Sequence, residues 1–157
     1  MIDTPSNDYD HHAKAALRAL EIIQEKRAQN YVEFICTSYE QVMQKVAPSM
    51  KAAGIPCGWM CGSVSAATFK NKGYTDWANL NAREHFKGIE GSYYNRTIAE
   101  FKNAGLKLSV FHVDKKSGNS SAVYSEAEVK MFLDEYDYLR CITTNYPSWL
   151  LSKTANL

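Results

Sequence analysis

The side chains best suited to chemistry gather just after three apolar runs. The run Leu106 to Val113 carries His112 near its end and is followed by Asp114 and Lys115, which together offer a proton acceptor, a proton donor and a positive charge. Ser38 follows the run that begins at Tyr31. Gly62, Ser63, Val64 and Ser65 follow the run that begins at Ile55, and their amides and hydroxyls suit a phosphate or carboxylate. If the three runs are parallel strands, their C-terminal ends bring Ser38, Ser63, Ser65, His112, Asp114 and Lys115 to one edge, where open α/β sheets bind ligands. Each has a plainer explanation. A Gly-Ser segment is most often a turn, and His112 shares a strand face with Leu106, Leu108 and Val110, where a histidine is more often part of the core. No catalytic signature accompanies these residues, so the sequence assigns no reaction.

Other polar groups are weaker candidates. Asp114-x-Lys116 has the spacing of a carboxylate and lysine pair around a nuclease metal, but no second carboxylate stands on a neighbouring strand. Arg83, Glu84 and His85 read as neighbours on a solvated helix face. His11 and His12 are adjacent on a helix, about 100° apart, and do not share an ion. Of the four cysteines, Cys57 and Cys61 have C-x3-C spacing without a second pair, so Cys36, Cys57, Cys61 and Cys141 read as reduced, mostly buried hydrophobes. The sequence indicates no cofactor and no metal.

The aromatic content stands out more. Ten tyrosines and three tryptophans include the groups Tyr93 and Tyr94, Tyr136 and Tyr138, and Tyr146 and Trp149. Closely spaced rings on a helix cannot all enter one core, and exposed Tyr and Trp are enriched at interface centres. These six residues are therefore candidates for a surface that recognises a protein partner or a second copy. Tyrosine that lines the rim of a core is the competing explanation.

The elements that must position these residues are legible in part. A helical pattern runs from about Asp8 to Ala28, with Ala13, Ala16, Leu17, Leu20 and Ile23 as its apolar stripe. Tyr31 to Thr37 predicts a strand. Ser38 and Gln41 form a capping box for a helix that ends at Gly54, with a kink expected near Pro48, and Ile55 to Cys61 predicts a second strand. Val64 to Gly73 reads as a loop, with a short strand at Ala66 to Phe69 as an option. Thr75 to Lys87 and Ser92 to Gly105 read as helices, Leu106 to Val113 as the third strand, and Ser125 to Leu139 as a strongly amphipathic helix. A short last helix is expected after Pro147.

The chain of 157 residues, with 45% hydrophobic residues, 22% charged residues and a net charge of +1, falls in the class of ordinary single-domain globular proteins. At this length it buries roughly 70% of the surface its unfolded form exposes. The near-neutral balance argues against a nucleic-acid partner, and no apolar run has membrane-spanning length. Without a signal-like N-terminus, a cytoplasmic location is expected. The predicted fold is α/β, or α+β: one domain over residues 1–157, a three- to four-stranded sheet with about five helices, and an N-terminal helix leading into a βαβ-like unit. The alternative is a split βαβ sandwich in which Ala66 to Phe69 pairs antiparallel with the second strand. Two functions are expected from this: a binding protein acting through its tyrosines, or a small-molecule or nucleotide-binding protein, with or without catalysis, at the strand ends.

Overall fold

The computed structural model describes residues 8–36, 39–60, 65–73, 75–114 and 125–154. Its first helix, α1 (Tyr9–Glu25), is capped by Asp8, whose carboxylate accepts the amides of Asp10 at 3.1 Å and His11 at 3.0 Å. Ala13, Ala16 and Leu20 form the buried stripe of α1 that the sequence periodicity predicts. After a 3-10 turn (Gln29–Tyr31), the chain runs through β1 (Phe34–Cys36), α2 (Glu40–Ala52), β2 (Cys57–Trp59) and α3 (Ala66–Lys72). It continues through β3 (Trp77–Asn81), α4 (Ala82–His85), α5 (Ile98–Asn103), β4 (Lys107–Phe111), α6 (Glu126–Leu133), β5 (Leu139–Ile142) and α7 (Pro147–Thr154).

All five strands are parallel and lie in sequence order, β1-β2-β3-β4-β5. The α/β class and the βαβ unit are therefore present. The expected three or four strands and about five helices are corrected to five strands and seven helices among the described residues. The split sandwich is excluded: Ala66 to Phe69 belongs to α3, whose N-cap Ser65 accepts the Thr68 amide at 3.1 Å. The helix expected from Thr75 to Lys87 is instead β3 followed by the single turn of α4. Thr75 caps nothing there; its hydroxyl donates to the carbonyls of Trp77 at 2.7 Å and Cys57 at 3.2 Å, fixing the start of β3 beside β2. The helix expected from Ser92 begins at Ile98, where Thr97 and Glu100 form the capping box. The helix read through to Leu139 stops at Leu133, and Leu139 opens β5. The Ser38 capping box lies outside the described residues. Pro48 sits inside a single continuous α2, on its exposed side, so the carbonyl of Gln44 that loses its helical partner faces water.

Strand alternation sorts the sheet into two faces. Cys36, Cys57, Trp59, Ala78, Leu80, Leu108, Val110 and Leu139 point one way, into a single core with the apolar stripes of the helices. The crossover helices α2 to α6 join that core, as crossovers of one hand between adjacent parallel strands would require, and α1 and α7 pack on the same side. The other face carries Ile35, Gly58, Trp77, Asn79, Asn81, Ser109, Phe111 and Cys141. On it, the Arg140 guanidinium stacks 4.3 Å from the Trp77 ring and forms an ion pair with Glu33. Glu33 precedes the first strand and Arg140 lies in the last. In a flat sheet they would stand about 19 Å apart, four spacings of about 4.8 Å. Their contact shows that the sheet curls, with the helix-free face concave, as in part of a barrel wall.

Candidate functional site at the strand ends

Parallel strands deliver their C-terminal ends to one rim. β3 ends at Asn81, where the chain turns directly into α4. The Asn81 Oδ1 accepts the amides of Arg83 at 2.9 Å and Glu84 at 3.3 Å, so its Nδ2 is left to donate elsewhere. It lies 3.3 Å from His112 Nδ1 and 3.4 Å from Glu84 Oε1. Since Asn81 Nδ2 can only donate, His112 Nδ1 accepts and the ring proton is on Nε2. His112 sits one residue past β4 with φ of +62°, a left-handed conformation that β-strand exits do not require. The other non-glycine cases have ordinary settings: Arg27 follows the end of α1, and Asn95 is a residue type that tolerates this region.

Below this rim, on the concave face, Asn79 and Ser109 are register partners on adjacent strands. Asn79 Oδ1 is buried without a hydrogen-bond donor among the described residues. The strand pattern of β3 was hidden in the sequence by the expected helix, which is why Asn79 and Asn81 were not singled out.

His85 was also misjudged. It does not lie on a solvated face but is 4% exposed, with Nδ1 donating to the Asn81 carbonyl at 2.8 Å and its ring stacked on Tyr94 at 4.7 Å. A pattern of one turn of helix carries too little periodicity to reveal this; the signal is the Asn81 cap just before it. Tyr94 continues to Tyr93 by an edge-to-face contact at 4.9 Å, and Arg96 lies 5.6 Å from the Tyr94 ring centre.

Asp114, expected as an acid or base, is 3% exposed and engaged with the chain after β5. Its carboxylate accepts the Asn145 backbone amide at 2.8 Å, the Asn145 side-chain amide at 3.2 Å and the Thr144 hydroxyl at 3.2 Å. This ties the exit of β4 to that of β5. Ser65 is the N-cap of α3, its hydroxyl accepting the Thr68 amide. Ser38, Ser63 and Lys115 lie outside the described residues.

The six aromatic candidates divide between the two ends of the sheet. Tyr93 and Tyr94 donate their backbone amides to the Glu84 carbonyl, at the strand-end rim, and Tyr93 is 78% exposed. Tyr146 and Trp149 follow β5 on the same side, with Trp149 packed against the core. Tyr136 and Tyr138 precede β5 and so lie at the opposite, strand-start end. Tyr136 is 52% exposed, while the Tyr138 hydroxyl donates to the Leu106 carbonyl at 2.5 Å. Burial, with the nearby Glu135 carboxylate, pushes the Tyr138 phenol up to about 12.

Cys36 and Cys57 are buried thiols, pushed up to about 11 and about 12 by loss of water, with Asp76 adding to the effect at Cys57. Cys141 is an exposed free thiol on the concave face. Among the described residues no group of three or more His, Cys, Asp or Glu side chains could hold a metal ion, and no helix is long and apolar enough to cross a membrane. Comparison with protein-family models, curated proteins and solved structures returned no match.

Proposed function

We propose that the protein binds a small polar molecule at the C-terminal ends of β3 and β4, over the concave face. The observation that carries this is the Asn81–His112 pair: a hydrogen bond between two strand exits, with His112 in the left-handed region. Backbone in that region costs a non-glycine residue on the order of 1–2 kcal/mol and persists where surroundings impose it, commonly at ligand sites. The pair leaves His112 Nε2–H as a donor, Glu84 as a nearby carboxylate and Asn79 Oδ1 as an acceptor deeper on the concave face. Tyr93 and Tyr94, attached at Glu84, supply the aromatic rim that small-ligand sites commonly combine with a few polar groups. The same donor set is compatible with proton transfer at His112, so an enzyme is included in the proposal.

Native mass spectrometry of gently purified protein tests this. An excess mass that is lost on denaturation, and is absent from Asn81→Ala and His112→Ala proteins that remain folded, supports the site; an excess mass retained by both variants removes it. A role in protein recognition through Tyr136 and Tyr138 has the half-exposed Tyr136 ring in its favour. Tyr93 and Tyr146, exposed at the other end, would belong to a separate surface.

A further inference from the structure

Asn81 can hold His112 in only one of the histidine's charge states. Asn81 Oδ1 accepts the amides of Arg83 at 2.9 Å and Glu84 at 3.3 Å, and these bonds fix which way the side-chain amide faces. Turned over, it would set its NH2 group against two backbone N–H groups. Asn81 therefore presents Nδ2, a donor only, to His112 Nδ1 at 3.3 Å. That bond requires a ring nitrogen with a lone pair to offer. An imidazolium has none, because both its nitrogens carry protons, and it would bring N–H against N–H at this contact. Asn81 is 5% exposed, so little water reaches its side to relieve the mismatch.

The surroundings supply a different partner for the charged ring. From α4, the Glu84 carboxylate stands 3.4 Å from the same Asn81 Nδ2, while Arg83 extends to Gly91 and His85 is held by the Asn81 carbonyl and the Tyr94 ring. On the exit of β4 itself, the Asp114 carboxylate is engaged by Thr144 and Asn145. From the exit of β5, Thr143 bonds to Val110 and Val113 through its backbone, and the Cys141 thiol lies 3.7 Å from the Thr143 hydroxyl. Of these groups, Glu84 shares the contact with His112 and carries the charge that an imidazolium attracts.

We propose that His112 is a proton-operated switch at the strand-end rim: neutral, it accepts from Asn81; protonated, it leaves Asn81 and turns its ring to Glu84. The left-handed φ of +62° belongs to the neutral arrangement, in which the Asn81 bond anchors the side chain of that strained residue. Protonation removes the anchor. The consequence for a ligand rests on the binding site proposed above. In the neutral state Nε2–H and Glu84 serve the ligand, and in the charged state they serve each other. Such a ligand is released as pH falls between about 8 and 5, the interval over which histidine side chains change charge.

The test is an NMR titration of the isotope-labelled full chain from about pH 8 to about pH 5, with no ligand added. It follows the His112 ring nitrogens, the His112 χ1 rotamer through three-bond couplings, and the Asn81 side-chain NH2 signals. At the alkaline end the ring nitrogens should show a proton on Nε2 alone. As the second proton is taken up, the χ1 couplings and the Asn81 NH2 signals should shift with the same midpoint. Asn81→Asp keeps the oxygen that caps Arg83 and Glu84 but replaces the donor by a second carboxylate oxygen, to which an imidazolium can donate. In that variant the ring should protonate with χ1 unchanged. A proton on Nδ1 at the alkaline end, a ring that stays neutral throughout, protonation that leaves χ1 and the Asn81 NH2 unmoved, or the same rotamer change in Asn81→Asp would each overturn the proposal. If circular dichroism shows that Asn81→Asp does not fold, the wild-type titration decides alone. With no ligand in the sample, failure of the switch leaves the binding site to native mass spectrometry, and failure there leaves the switch standing.

Discussion

At the scale of single residues, Asp114 serves the fold. Its three donors all belong to Thr144 and Asn145, so Asp114→Ala leaves the Asn145 backbone amide without its acceptor. We expect a loss of about 1.5–3 kcal/mol in urea unfolding, the range for hydrogen bonds to a charged group; an unchanged midpoint would show that the carboxylate does not hold this loop. The buried thiols give a pH prediction. Cys36 and Cys57 are pushed up from the ordinary 9.0 to about 11 and about 12, so the folded state keeps protons that the unfolded chain releases. Their contribution is fully present below pH 9 and declines as pH rises toward 12. Stability measured by denaturant titration should fall across that interval, and less steeply in a Cys57→Ala variant; identical slopes would contradict the assignment.

At the scale of elements, packing on the concave face depends on a missing side chain. A Cβ at Gly58 would lie 2.2 Å from Trp77 Cε2, so glycine is what allows the indole to lie over β2 with Arg140 stacked on it. Gly58→Ala should destabilise the protein by about 1–3 kcal/mol, as overpacking does, and a smaller residue at Trp77 should make the substitution less costly. Full additivity of the two changes would show that the contact is not the cause. Legibility followed the same physics. α1, α2, β1, β2 and β4 were readable because their apolar spacing extends over a whole element or is bounded by Gly and Pro. β3 was not, because Thr75 and Gly88 bracket WANLN with helix start and stop signals and Trp77 breaks the polar pattern of Asn79 and Asn81 on the face without helices. β5 was hidden by its four-residue length just after a strong amphipathic segment. The same failure concealed Asn79 and Asn81, whereas His112 could be singled out as a candidate because its strand was clear.

At the scale of the whole molecule, five parallel strands in sequence order with helices on one side produce a concave face whose far edges are joined by Glu33 and Arg140. Within it β3 and β4 are register partners up to Asn81 and Phe111, which places His112 next to Asn81. The expectation of a strand-end site came from the fold class; Asn79 and Asn81, which the proposed site uses, became legible only with the fold itself. The most direct measurement is amide-resolved NMR of isotope-labelled protein against a library of small polar compounds. The account predicts that binders shift the amides of Asn79, Asn81 and His112 and that Asn81→Ala abolishes those shifts. Binders that perturb only the strand-start end around Tyr136 and Tyr138, or that shift the rim equally in Asn81→Ala, would contradict it.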